Sequence, residues 1–287
     1  MSELIADPAG QRRVCSASKR EDGANVPWKG PLSYSLLKLI SDSPAAFRHA
    51  CEAGGIEVTE PMKLGTCAHW HLLGGPPERK PLVYSQSKTR GEGAVRAWRE
   101  FQEAHQGEEI FSLEQWNEGL AISNAIRYAD HNYERYNRWI AVGDHEVPLR
   151  WTRGGFDFAT RGVDVLRATE LVDVKTARCV EPHALMRQAQ RLHYPEQLAL
   201  YRGAARANGY PVDTAAVFAV CSSPPYVTRV LRFSAEQIDA ADATVDRWID
   251  TVRRCVESDE WPGGGEDDYV APWSEIEGEG DLEAEHG

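Results

Sequence analysis

Asp173 and Lys175 stand two residues apart at the end of an apolar run, Leu171-Val172-Asp173-Val174-Lys175-Thr176. In a strand that spacing puts both side chains on one face. On its own, an acid and a base so placed can be an ordinary strand-end ion pair. Asp157, in Gly154-Gly155-Phe156-Asp157, is expected on the preceding strand. Two aspartates at the ends of adjacent strands concentrate negative charge, which is costly unless a cation neutralises it. Hard oxygen ligands suit Mg²⁺ or Mn²⁺. A lysine beside them can orient a water or offset charge developing on a phosphate.

The elements that must position these residues follow from periodicity and turn chemistry. Residues 1–31 are polar and mixed in charge and read as a flexible N-terminal arm, with order beginning at Leu32. A short helix is expected over Ser33–Ile40. A second opens at Ser43-Pro44, with serine as N-cap and proline at the first helical position, and a third spans Met62–Leu73. After a connector holding Pro76, Pro77 and Pro81, helical patterns cover Gly93–His105 and Leu113–Tyr136. The character changes at Trp139. Glu146–Trp151, Gly155–Thr160 and Glu170–Lys175 read as strands, the first two joined by a hairpin turn at Arg153-Gly154-Gly155. Helices Pro182–Arg191 and Tyr194–Asn208 follow, the latter closed by Gly209. Strands Thr214–Cys221 and Tyr226–Phe233 and a long helix over Ser234–Ser258 complete the order. That order predicts an α/β (α+β) domain over residues 32–262, with a central mixed sheet flanked by helices. Residues 32–138 form a mainly helical extension, and 139–262 hold the catalytic core. Residues 263–287 read as an acidic disordered tail.

Composition sets outer bounds. Of 287 residues 42% are hydrophobic, with 9 Trp, 10 Tyr and 7 Phe, enough for a sizeable core and incompatible with a wholly disordered chain. No apolar run approaches the ~18 residues of a membrane span, and the first residues lack a signal peptide's basic start and apolar block. A soluble, cytoplasmic protein with no membrane partner is therefore expected. The net charge of −12 is unevenly spread: residues 255–287 hold twelve Asp or Glu and no Lys or Arg, leaving 32 acids against 32 bases in residues 1–254. The overall acidity thus says nothing against a nucleic-acid partner, because local patches set the field a ligand meets. The six cysteines, at 15, 51, 67, 179, 221 and 255, are never closer than sixteen residues, so no zinc or cluster spacing is present.

The Asp157 and Asp173-Val174-Lys175 arrangement resembles the metal-dependent PD-(D/E)xK nuclease superfamily. Further matches fall in the order of its RecB and lambda-exonuclease-like subgroup. Gly65-Thr66-Cys67-Ala68-His69 resembles a G-T-x-x-H element whose histidine helps to hold metal. Glu146 resembles the glutamate ahead of the first aspartate, and Gln197-x-x-x-Tyr201 the Q-x-x-x-Y of the helix after the triplet. That i, i+4 spacing puts Gln197 and Tyr201 on one helical face. Ser43-Pro44-Ala45-Ala46-Phe47 and Asp259-Glu260-Trp261-Pro262 bring the resemblance closest to the C-terminal nuclease domain of the exonuclease VIII type, over roughly residues 32–262. It departs from that type in having Phe156 before Asp157.

The resemblance implies a restriction-endonuclease-like core and Mg²⁺- or Mn²⁺-dependent hydrolysis of DNA, with two ions and no iron–sulfur cluster. His69, Asp157, Asp173 and the Val174 carbonyl would hold metal. Lys175 would act on the water and the phosphate, with Glu146, Gln197 and Tyr201 in support. It further implies degradation of linear duplex DNA from 5′ ends to 3′ single strands for recombination or repair in a phage setting, a homo-oligomeric ring, and a single-strand annealing partner. Lys88 and Arg90 are candidate DNA-phosphate contacts, and Trp98, Trp116 and Trp139 are candidates for stacking on an unpaired base. A RecB-like single-strand nuclease or endonuclease, and a catalytically silent scaffold of the same fold, are the competing readings.

Overall fold

In the computed structural model, which describes residues 18–19, 25–75, 80–86 and 88–263, two short strands come first, β1 (Ser18–Lys19) and β2 (Asn25–Val26). Helix α1 (Tyr34–Leu37) runs into a 3₁₀ turn over Lys38–Ser41, and α2 (Pro44–Glu52) and α3 (Glu60–Leu73) follow. Next come β3 (Leu82–Tyr84), α4 (Glu92–Ala104), β4 (Ile110–Ser112), α5 (Leu113–Tyr128) and α6 (Asp130–Trp139). The core comprises β5 (Asp144–Arg153), β6 (Phe156–Leu166), β7 (Glu170–Ala177), α7 (Pro182–Arg191), α8 (Tyr194–Ala207), β8 (Thr214–Cys221), β9 (Thr228–Arg232) and α9 (Ala235–Ser258). The expectations for residues 1–17 and 20–24 of the arm and for the tail beyond Gly263 lie outside the described residues.

Strands β5 to β9 form one five-stranded sheet in sequence order. All neighbours are antiparallel except β7 and β8, which run parallel because α7 and α8 form the crossover between them. Interior strand β8 is buried along Ala215–Val220, and so reads as an unbroken apolar run rather than an alternating one. Two apolar clusters cover the sheet. On one side Leu171, Val217 and Ala219 meet α1, α8 and α9 through Leu37, Leu198 and Val245. On the other, Val172, Val174 and Phe218 meet α3 and α5 through Leu72, Ile122 and Ile126. On β7, Asp173 thus alternates with Val172 and Val174, which face the second cluster. The sheet flanked by helices and the preceding helical region match the expected architecture.

Local chemistry explains the ends of elements. Ser43 accepts from Ala46 N at 3.1 Å, capping α2 ahead of Pro44. Ser234 and Gln237 form a reciprocal capping box at the start of α9. Gly154 and Gly155, at φ +60° and +83°, make the tight β5–β6 hairpin that brings Arg153 opposite Phe156.

Three expectations are revised. Packing begins before Leu32: Val26 and Trp28 are 4% and 7% exposed, and Trp28 meets Phe47 and Phe156 edge-on. A Trp in reach of two Phe rings buries too much apolar surface to remain in a loose arm. The helix read over Leu113–Tyr136 is two helices, because Ala129 is extended at ψ 129°. Buried Asn132 exploits that break. Its amide donates to Ala125 O and Tyr226 O and accepts from Thr228 N and Oγ1, tying α5 and α6 to β9. The strand read over Gly155–Thr160, β6, runs six residues past Thr160, with consequences for the site.

Candidate active site

The longer β6 carries a carboxylate the sequence reading passed over, Asp164. The register that pairs His145 with Val165 and Val147 with Val163 sets Glu146 beside it on β5. The register that pairs Val165 with Val172 sets Asp173 at the next step on β7. Glu146, Asp164 and Asp173 therefore form a row across three adjacent strands. The β6–β7 ladder ends at Val165–Val172, and the strands part there. Val174 N, left without a ladder partner, donates to Asp164 Oδ2 at 2.6 Å, so the fork and the carboxylate position each other.

Glu146 reaches the row through unusual backbone. Its φ is +51°, a left-handed conformation that costs a non-glycine residue roughly 1–2 kcal/mol. A bulge lies between Val147 and Leu149, with the extra residue on β6. Thr160 Oγ1 accepts from Gly162 N and donates to Gly162 O within that bulge. A side chain at Gly162 would come within 2.5 Å of Glu146 Oε2 and 2.8 Å of its Cα, so only glycine lets the glutamate lie there.

His69 arrives from the other side, on α3. Gly65, one turn earlier, lets that helix press on β7, since a Cβ there would stand 3.2 Å from Thr176 Oγ1. His69 Nδ1 lies 3.7 Å from Asp164 Oδ1. His69, Glu146 and Asp164 offer ligand atoms that all lie within 4.8 Å of one another.

Asp173, 4% exposed, is held differently. Lys175 Nζ is 2.6 Å from its Oδ2, and Gln197 Nε2 donates to its Oδ1 at 3.0 Å. The Lys175 ammonium also stands 5.5 Å from the Tyr194 ring centroid. Tyr201, one turn beyond Gln197 on α8, bonds Thr160 and meets Tyr34 edge-on at 6.3 Å, bracing the helix behind the site.

The electrostatics follow from this crowding. Burial, then Asp164, push the Glu146 carboxyl up to about 7 despite His69. Burial and Asp164 likewise raise Asp173, to about 6, against the pull of Lys175. Lys175 is held above the usual lysine range, as Asp173 and Asp164 outweigh its burial. Lys38, in the turn after α1, is half-buried, and burial and then Lys175 lower its pKa. Sequence reading missed it, since a lysine in a helical stretch carries no distinguishing pattern.

The structure brings together His69, Glu146, Asp173, Lys175, Gln197 and the Val174 peptide, with Tyr201 behind them. It does not bring Asp157. That residue lies at the hairpin end of β6, exposed, accepting from Thr152 Oγ1 at 2.9 Å, while its carbonyl accepts from Leu32 N. Seven residues separate it from Asp164, roughly 20 Å at strand rise. Asp157, expected as a metal ligand, therefore stands outside the group, and the aspartate that β6 brings beside His69 and Glu146 is Asp164. The signal was in the sequence: a turn centred on Ala168-Thr169 folds Asp164 directly opposite Asp173. Lys88 lies on the loop before α4, where it helps Lys63 keep Glu60 below the usual carboxylate range, and Arg90 is exposed nearby. Trp139 is 7% exposed and so not free to stack on a base.

Two carboxylates and an imidazole whose ligand atoms lie within 4.8 Å of one another, with Asp173 at the next step of the row, form a donor set that fits a hard divalent cation. Upward-shifted carboxyls are what crowded acids show when no cation offsets them. A mixed sheet with this forked strand pair, flanked by helices, defines a restriction-endonuclease-like fold. The family model for the PDDEXK-like domain of unknown function (DUF3799) matches residues 33–271, and the chain belongs to that family, within the PD-(D/E)xK nuclease superfamily. The fold is also that of a crystal structure named "Putative exonuclease" from Eubacterium rectale, with TM-score 0.54 and 12% identity, covering 89% of this chain and 93% of that one. A phage related exonuclease from Haemophilus somnus is more distant, at TM-score 0.33 and 14% identity over 68% of this chain and 95% of that one. No curated protein matches the chain. Among the described residues no helix is long and apolar enough to cross a membrane.

Proposed function

We propose that the chain is a metal-dependent deoxyribonuclease that degrades linear duplex DNA from 5′ ends, leaving 3′ single strands for recombination or repair. The observation that carries the reading is the row Glu146–Asp164–Asp173, closed by His69 at one end and Lys175 at the other. His69, Glu146, Asp164 and Asp173, with the Val174 carbonyl, would hold Mg²⁺ or Mn²⁺. Bound there, such ions supply Lewis-acid chemistry, polarising a phosphate and easing deprotonation of water.

The chain's own residues do the rest. Lys175, kept cationic by Asp173, orients the attacking water and offsets the negative charge that grows on the phosphate. Gln197 fixes the Asp173 carboxylate so that its other oxygen keeps Lys175 in place. Asp164 couples the ligand set to the backbone of β7 through Val174 N. By its resemblance to the exonuclease VIII type, the enzyme works in the cytoplasm as a ring around DNA and passes the 3′ strand to an annealing protein. Lys88 and Arg90, on the loop before α4, would contact the DNA phosphates.

The test is digestion of linear duplex labelled at either end, with Mg²⁺ or EDTA, beside a closed circle. Metal-dependent loss from 5′ ends, absent on the circle and in Lys175→Ala, is expected. Cutting of the circle would assign an endonuclease instead. A folded wild type that binds DNA yet cuts nothing would leave a silent scaffold.

A further inference from the structure

Away from the catalytic row, α6 and the edge strand β9 enclose an open cavity of about 300 Å³ lined by Glu134, Arg135, Arg138, Trp139, Arg229 and Val230. Trp139 forms its floor, with two guanidiniums over the ring: Arg138 at 5.6 Å and Arg232 at 5.3 Å from the centroid. Arg135, Arg138, Arg229 and Arg232 are all exposed, and among the described residues none of them is ion-paired. Arg135 and Arg229 spend one donor each on the carbonyls of His131 and Val180. A guanidinium packed by its face on an aromatic ring keeps its N–H donors directed outward around the rim, a fork that fits phosphate oxygens. Some arginines elsewhere are matched by acids, as Arg153 is by Asp242 and Asp246, and Arg202 by Asp239. Four arginines gathered at one cavity, none with a carboxylate partner among the described residues, in a body balanced between 32 acids and 32 bases, form a local positive field that suits an anion.

We infer that this arginine groove binds the phosphodiester backbone of DNA outside the catalytic centre and so holds the substrate while the ends are cut. The inference rests on the nuclease reading and extends it to a second contact surface. The groove shares no residue with the row at β5–β7. Its buried Trp139 serves to hold the two guanidiniums over its ring, not to read bases. Because the groove meets phosphates alone, its binding is independent of sequence and strongly dependent on salt.

The experiment measures anisotropy of a labelled linear duplex on the full-length chain in a Lys175→Ala background, across a salt series. Arg138→Gln with Arg232→Gln is expected to weaken binding about tenfold at low salt. It should also cut the slope of log affinity against log salt by roughly 2, since each neutralised phosphate adds about 0.9 to that slope. Arg138→Lys with Arg232→Lys should restore most of the slope, which a purely structural role would not do. In the otherwise wild-type chain, the glutamine pair should raise KM for long duplex and leave kcat unchanged. An unchanged affinity and slope would overturn the proposal. So would a loss that merely tracks a fallen melting temperature. A third overturning result is that removing residues 264–287 tightens DNA binding only while the arginines are present, with the glutamine pair itself neutral, since the groove would then belong to the acidic tail. If wild type cuts DNA and the groove variants behave like it, the groove alone has failed. If wild type neither binds nor cuts, the nuclease reading has failed.

Discussion

The two halves of the site handle negative charge in opposite ways. At Asp173 the carboxylate is matched from within: Lys175 at 2.6 Å supplies the countercharge and Gln197 a further donor. At Glu146 and Asp164 the side chain close enough to pair is His69, 3.7 Å from Asp164 and charged only when protonated, while Lys175 is bound to Asp173 and acts on Asp164 from farther off. The chain thus completes one half itself and leaves the other to be completed from outside. Glu146, whose carboxyl is pushed up to about 7, is in the incomplete half, and its backbone is held in the left-handed region as well. Strain and unbalanced charge in one place mark what the fold tolerates for the sake of binding.

The sharpest way to break this comparison is to remove the internal countercharge. Lys175→Ala should lower cleavage by at least ~10³-fold, and excess metal should not rescue it, because the missing cation belongs to the complete half. His69→Ala should act through the open half instead. A loss of roughly tenfold or more in Mn²⁺ affinity by calorimetry is expected, with much of the cleavage recovered at high Mn²⁺. Rescue in the first variant and none in the second would reverse the assignment.

A pH experiment sharpens the same contrast. The Glu146 carboxyl, at about 7 in the fold, lies above its usual value, so protonated glutamate is favoured in the folded state. Its stabilising contribution is complete below the ordinary glutamate range and is lost as pH rises through about 7. In EDTA, melting temperature should fall from pH 5.5 to 8. Glu146→Gln should flatten that slope and raise stability at pH 8 by about 1 kcal/mol after allowing for solvent screening. Saturating Mg²⁺ should oppose the fall in wild type and matter less in the variant. The smallest effect is expected at Gln197→Ala: a loss in kcat of about tenfold with metal affinity retained, because it removes one donor from Asp173 and no ligand.

Much of this was legible in the sequence, and the exception is instructive. Ser43-Pro44, the glycine hairpin and the 3.6-residue stripes placed most elements to within a few residues, since caps, turns and amphipathic faces are local. Asp173, Lys175, His69, Glu146 and Gln197 were legible as candidates, and the fold gathers them, although the meeting of His69 with Asp164 depends on helix packing that no local pattern encodes. Asp164 was passed over because the strand holding Asp157 was read only as far as Thr160, and Arg161-Gly162 follows it directly. That pair is a bulge inside the strand, and its glycine is there to admit Glu146. The break at Ala129 was equally hidden, because Asn132 is fixed by Tyr226 and Thr228, nearly a hundred residues away in the sequence. Strands β3 and β4, three residues each, are too short to show alternation.

The choice of Asp164 over Asp157 as the aspartate of β6 that serves the site is open to the most direct test. Wild type, Asp164→Asn and Asp157→Asn should be compared side by side for Mg²⁺-dependent digestion of linear duplex DNA, with melting curves to confirm folding. Asp164→Asn should be folded and at least ~10³-fold slower, while Asp157→Asn stays within about twofold of wild type. Loss of cleavage in a folded Asp157→Asn chain, with Asp164→Asn active, would contradict that choice.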